Sequence, residues 1–131
     1  MTENYTYETE LKVRDYECDI QGIVNNANYQ HYLEHTRHEF LTESGISFSE
    51  LHTQGIDAVV SRVEINYKTS LKPDDVFLSK LFVEKQGAKY VFNQAIYRKI
   101  DGELCIKAKV DIVVLINGKL AKGLDLFDKL F

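Results

Sequence analysis

Asp19 stands three residues before Gly22 and seven before Asn26, where the stretch V-N-N-A-N-Y opens a helical pattern. A carboxylate, a glycine-containing turn and a helix start in that order combine two useful groups. The first turn of a helix offers free backbone N–H groups and a partial positive charge. Such donors stabilise a developing oxyanion. A neighbouring carboxylate serves as general base or nucleophile. Acyl transfer needs both within reach of one carbonyl carbon.

Other reactive side chains compete for attention. His31, His35 and His38 share one face of the same helix. At about 100° per residue that face lies roughly opposite Tyr29, Leu33 and Phe40. It reads as a solvated or subunit-contact face, and no metal site is expected there. Cys18 adjoins Asp19, but neighbours on an extended chain point to opposite faces and no histidine is placed to activate the thiol. Cys105 falls opposite the apolar row of its strand. Lys85 and Lys89 flank a turn and, with Arg62 and Arg98, are candidates to meet phosphate groups. Ser61 sits mid-strand among valines.

The elements that must position these groups follow from periodicity. Residues 8–16 read as a strand carrying Leu11 and Val13 on one face, and residues 17–28 as a turn-like segment. Tyr29, Tyr32, Leu33, Thr36 and Phe40 then recur at helical spacing. Asn25, Asn26 and Asn28 all suit the N-cap, and Gly45 is a natural stop. A short helical turn is expected over 47–53, capped by Ser47 or Ser49. Strand patterns occupy 57–69, 76–85, 90–100 and 104–116. The first carries Val59, Val63, Ile65 and Tyr67 at alternate positions, and the last runs from Leu104 to Ile116 on one face. Gly87-Ala88 and Asp101-Gly102 mark tight turns. The tail, 119–131, is a short docked helix or strand. Tight turns between successive strands imply an antiparallel sheet, and one apolar helix against it implies an α+β fold.

Composition narrows the function. The chain has 131 residues, 16 basic against 20 acidic side chains and a net charge of -4. That is one domain's worth of chain, expected to span residues 1–131. It lacks the basic footprint of a nucleic-acid binder and the polybasic patch of a membrane anchor. No apolar run approaches a membrane span, and no signal-peptide pattern opens the sequence. Two cysteines make neither a disulfide framework nor a zinc site. A cytoplasmic protein is the expectation.

The run Asp19, Gly22, Val24, Asn26, Ala27, Tyr29, continued on the helix by Glu34, Arg37, Glu39 and Phe40, resembles the hotdog-fold acyl-CoA thioesterases of the 4-hydroxybenzoyl-CoA thioesterase-like family. The segment Y-K-T-S-L-K-P-D-D, residues 67–75, is similar to that family's Tyr–Pro–Asp signature. The resemblance covers about residues 10–116. It implies a hotdog fold, an antiparallel five-stranded sheet wrapped around one long helix. It implies hydrolysis of an acyl thioester, with coenzyme A entering only as part of the substrate and no other cofactor. It makes Asp19 the activator of water or the direct nucleophile, and the Asn26 amide the oxyanion donor. Gly22, Tyr29, Ser61 and Lys89 become candidate substrate contacts, although Tyr29 also fits the core stripe. It implies a homodimer joined edge to edge with its sites at the interface, or a tetramer of two such dimers. Where many relatives carry histidine this chain has Asn26, so no histidine acid/base partner is implied. An acyl-ACP thioesterase and a non-catalytic acyl-CoA or metabolite-binding module are the alternatives.

Overall fold

The computed structural model describes residues 4–130. Strand β1 (Tyr7–Lys12) is followed by a 3₁₀ turn (Asp15–Glu17), the long helix α1 (Asn26–Glu43) and the short helix α2 (Phe48–Thr53). Four strands come next: β2 (Ile56–Tyr67), β3 (Val76–Gln86), β4 (Lys89–Arg98) and β5 (Leu104–Ile116). A two-residue β6 (Lys119–Leu120) and a single-turn helix α3 (Asp125–Asp128) end the chain, so the tail holds both a strand and a helix. The sheet is antiparallel in the order β1-β3-β4-β5-β2, with β6 on the end of β5. The expected five-stranded sheet around one helix is therefore present, and β1 and β2 are its edges. Among the described residues no helix is long and apolar enough to cross a membrane.

Helix α1 forms where its stripe can be buried. Asn25 caps it, its side-chain oxygen accepting from Ala27 N–H at 2.9 Å. At the other end Gly45, at φ +86°, turns the chain out while Ile46 N–H reaches back to Leu41 O at 2.9 Å. Only glycine adopts that backbone cheaply, which fixes the stop. Tyr29, Tyr32, Leu33, Thr36, Arg37 and Leu41 are buried against the sheet. Burying an aliphatic side chain of this size contributes roughly 1.5–3 kcal/mol.

Two apolar clusters flank a polar middle. One, near the helix start, joins Val13, Val24, Leu33, Leu71, Phe77 and Ile106. The other, near the helix end, joins Leu41, Leu81, Phe92, Val110, Val114 and Phe127. Between them Thr36 Oγ1 lies 2.6 Å from Ser79 Oγ, and Arg37 Nη1 donates to Gln94 Oε1 at 3.1 Å. Gln94 Nε2 in turn donates to Leu33 O at 3.0 Å. These pairs tie α1 to β3 and β4, and each buried polar group among them finds a partner.

Two bulges overturn simple alternation. Val60 lies opposite Ile112 and Arg62 opposite Asp111, so Ser61 is an extra residue in β2. Val59 is thereby moved to the face opposite Val63, while Ala58, Val60, Val63, Ile65 and Tyr67 share the helix side. In β5, Ile106 pairs with Ile96 and Leu104 with Tyr97, which leaves Cys105 as the extra residue. Cys105 is fully buried in the first cluster, contrary to its expected place opposite the apolar row. The strand expected over 8–16 also stops early. The Glu17 carboxylate accepts from Arg14 N–H at 2.8 Å and folds the chain into the 3₁₀ turn.

Candidate active site

The site is built on Glu17, which sequence reasoning passed over. Its carboxylate is nearly buried and accepts from Arg14 N–H, from Arg14 Nη1 at 3.3 Å and from Tyr32 Oη at 2.8 Å. Its carbonyl accepts from Asn28 Nδ2 at 2.7 Å and from Asn25 N–H at 3.0 Å. One residue thus clamps the loop to the first turns of α1. The R-x-x-E spacing of Arg14 and Glu17 was the available signal, a pattern that closes a turn at its own N-cap.

Above this clamp the chain makes a tight excursion. Cys18 and Val24 form an isolated antiparallel bridge, and Asp19 N–H donates to Ile23 O at 2.9 Å. Gly22 N–H donates to Asp19 O at 3.0 Å, closing the turn, and Gly22 has φ +76°. A Cβ at Gly22 would meet nothing within 4 Å, so the turn conformation demands the glycine. One Asp19 carboxylate oxygen accepts from Gln21 N–H at 2.9 Å, and the residue is half-buried. Burial, then the Glu17 and Asp19 carboxylates, push the Cys18 thiol upward, which works against a thiolate nucleophile there.

The same bonds set the helix start beside this turn. Val24 N–H donates to Leu71 O at 2.9 Å, and the Asn25 side chain takes the Ala27 N–H. Among the described residues the Asn26 N–H has no acceptor. It is an uncommitted donor at the positive end of an 18-residue helix. The exposed Tyr67 donates its hydroxyl to Asn26 O at 3.4 Å, and Ile20 on the turn is exposed.

Tyr29 is 4 % exposed and its hydroxyl accepts Leu71 N–H at 2.9 Å. Its ring packs edge-on against Tyr32 and Tyr67. Burial raises its hydroxyl above the ordinary phenol range, and the Leu71 N–H offsets part of that. In this placement Tyr29 supports the β2–β3 connection from the core.

Ser61 and Lys89 do not join Asp19 within the chain. Ser61 Oγ donates to Asp111 O at 3.4 Å, and Lys89 Nζ lies 3.4 Å from the buried Asp111 carboxylate. The 10 residues of β4 run from Lys89 to Arg98, which touches Ser70 O near the helix start. At about 3.3 Å per residue that is roughly 30 Å. Arg62, Lys85 and Arg98 have carboxylate partners too, in Glu64, Asp128 and Asp101. His31, His35 and His38 are exposed, as expected. Among the described residues no three His, Cys, Asp or Glu side chains converge as a metal site.

A groove runs between α1 and the open edge strand β2. Its first part, about 360 Å³, is lined by Ala27, Gln30, His31, Arg37, Val60 and Val63. Glu34, Arg37 and Val60 also border its second part, about 500 Å³, walled by Leu41, Phe48, Ile56, Ala58, Ile112 and Phe127. His52 and Asp57, 2.7 Å apart, lie at the rim of that second cavity. Both parts mix polar and apolar side chains, with Gln30, His31 and Glu34 beside Leu33 and Val63 in the first, and His38, Ser49, His52 and Asp57 beside the apolar walls of the second.

Comparison with known proteins agrees with the fold. Residues 13–125 match the thioesterase-like superfamily. The chloroplast acyl-acyl carrier protein thioesterase ATL3 of Arabidopsis thaliana is 37% identical over 112 residues, which are 85% of this chain and 59% of that protein. The chain thus spans about three-fifths of the length of the plant relatives it matches. The long-chain acyl-CoA thioesterase FadM of Escherichia coli is 27% identical over 128 residues, 90% of this chain and 96% of FadM. A crystal structure of a hypothetical protein from Aquifex aeolicus superposes with a TM-score of 0.86 at 28% identity, covering 95% of this chain and 98% of that one. With its helix-wrapping antiparallel sheet and this match over nearly its whole length, the chain belongs to the thioesterase-like superfamily and has the hotdog fold.

Proposed function

We propose that the protein hydrolyses an acyl-CoA thioester to the free acid and coenzyme A. The observation that carries this reading is the pairing of a half-buried Asp19 with an uncommitted Asn26 N–H on one clamped loop. Asp19 takes a proton from water, the hydroxide adds to the thioester carbon, and the oxyanion rests on the Asn26 amide. The carbon–sulfur bond then breaks and the thiolate takes up the proton. Direct attack by the Asp19 carboxylate, followed by hydrolysis of the anhydride, gives the same products. Coenzyme A enters as part of the substrate, and the chemistry requires no other cofactor.

The active form is a homodimer. Edge strand β2 is 12 residues long, and its helix-facing side exposes Val60, Val63 and Tyr67 beside the groove. An unpaired apolar edge of that length invites a second strand. In an antiparallel pairing of two β2 strands, the bulge at Ser61 and the nearby Lys89 approach the partner's site instead of their own. The names of the plant relatives favour a second reading, hydrolysis of an acyl-ACP.

Free-thiol release from acyl-CoAs and acyl-ACPs, measured for wild type and Asp19→Asn, tests the reading. We expect wild type to cleave at least one class and Asp19→Asn to lose ~10²-fold or more. Wild type that cleaves neither class, or an Asp19→Asn variant as active as wild type, overturns it.

A further inference from the structure

We propose that Phe127 is the end wall of the acyl pocket and sets the longest aliphatic chain the enzyme accepts. The inference rests on the thioesterase reading and adds a substrate class to it. The cavity beyond Arg37 is walled by Leu41, Phe48, Ile56, Ala58, Ile112 and Phe127. It shares Glu34, Arg37 and Val60 with the groove whose lining includes Ala27, the residue after Asn26. A polar head at the helix start would leave a hydrocarbon tail against the apolar walls of the far cavity.

Phe127 differs from the other walls in its support. They belong to α1, α2, β2 and β5, whereas Phe127 is carried by the single-turn α3 after the sheet is complete. Its ring is 4 % exposed and stands edge-on to Tyr90, with centroids 5.4 Å apart at 89°. One hydroxyl fastens that turn to β4. Tyr90 Oη accepts Leu124 N–H at 2.8 Å and donates to Asp128 Oδ1 at 2.6 Å. Lys85 Nζ sits 3.7 Å from the same carboxylate and 5.1 Å above the Tyr90 ring. The ring is thus a plug held by a latch, packed on the sheet through Tyr90 and closing the cavity from one side.

The test is the ratio of kcat/KM values across saturated acyl-CoAs from about four to about eighteen carbons, with the corresponding acyl-ACPs in a second arm. Phe127→Ala deepens the cavity, and Ala58→Phe shortens it. Each methylene newly buried improves binding by roughly fourfold. We expect Phe127→Ala to raise the ratio of the longest to the mid-length substrates at least ~10-fold, and Ala58→Phe to lower it. Should Phe127→Ala fail to fold, the smaller truncation Phe127→Leu decides by the same ratio. Wild type that turns over a thioester while the variants keep its length profile overturns this inference and leaves the thioesterase reading standing. Wild type that turns over none overturns both.

Discussion

Tyr32, two turns into α1, donates its hydroxyl to the Glu17 carboxylate at 2.8 Å, and Glu17 lies two residues before Asp19. Helix and Asp19 loop are therefore tied into one hydrogen-bonded unit. Burial first, then the Glu17 hydrogen bond, pushes the Tyr32 hydroxyl far above the ordinary phenol range. Tyr32→Phe removes one donor from a nearly buried carboxylate. We expect a cost of about 1–3 kcal/mol in urea-melt stability. Activity should fall through kcat, because the loop loses its position while the acyl groove is untouched.

Asn26→Pro separates the backbone role of this residue from its side chain. Asn26 is the first residue of α1, where proline is tolerated because its missing N–H makes no helical bond. Asn25, at φ -62° and ψ 138°, already has the extended backbone that precedes proline. We expect unchanged helicity by circular dichroism and a loss of about 10²–10³ in kcat. Asn26→Ala, which keeps the N–H, should retain most activity.

The β2 edge predicts association. Val63 is 41% exposed on the helix side of an open strand. Val63→Lys places a charge where a partner's strand would cover it. In sedimentation we expect wild type at twice the chain mass and the variant at the chain mass. Thioester hydrolysis should fall with the dimer.

The latch at Tyr90 predicts behaviour at high pH. Burial first, then the hydrogen bond to Asp128, pushes the hydroxyl up to about 12. A group raised on folding stabilises the native state fully below its unfolded value, about 10 for tyrosine, and loses that contribution as pH rises toward about 12. Thermal midpoints should therefore fall between about pH 10 and about pH 12. In Tyr90→Phe that fall should be shallower and the neutral-pH midpoint lower, since Leu124 N–H and Asp128 lose a partner.

Most of the fold was legible because it depends on period. The helical stripe, the glycine stop at Gly45 and the four later strands all follow from spacing and turn residues. In the candidate site, chain order alone puts the Asp19 turn just ahead of the helix start at Asn26, and the structure has that order. The site was illegible where a residue's task depends on a distant neighbour. Glu17 is silent until Tyr32 is folded over it, and Tyr29 reveals its hydroxyl's task only once Leu71 is near. Ser61 and Lys89 both resolve onto Asp111, a buried acid that parity alone gives no reason to notice. Val59 and Cys105 defeated the count because an extra residue resets alternation, and nothing local in V-V-S-R-V announces it.

That extra residue in β2 makes the strand two half-strands of opposite parity, joined at position 61. Losing one residue from a regular strand turns everything on one side of the loss inside out. At Ser61 the chain can lose one and leave Val60 and Val63 facing the helix, because the sheet never counted it. What such a deletion would remove is the local bend and added twist of the edge. Curvature and register are thus encoded separately here, and the edge could be reshaped without reassigning a single side chain to a new face.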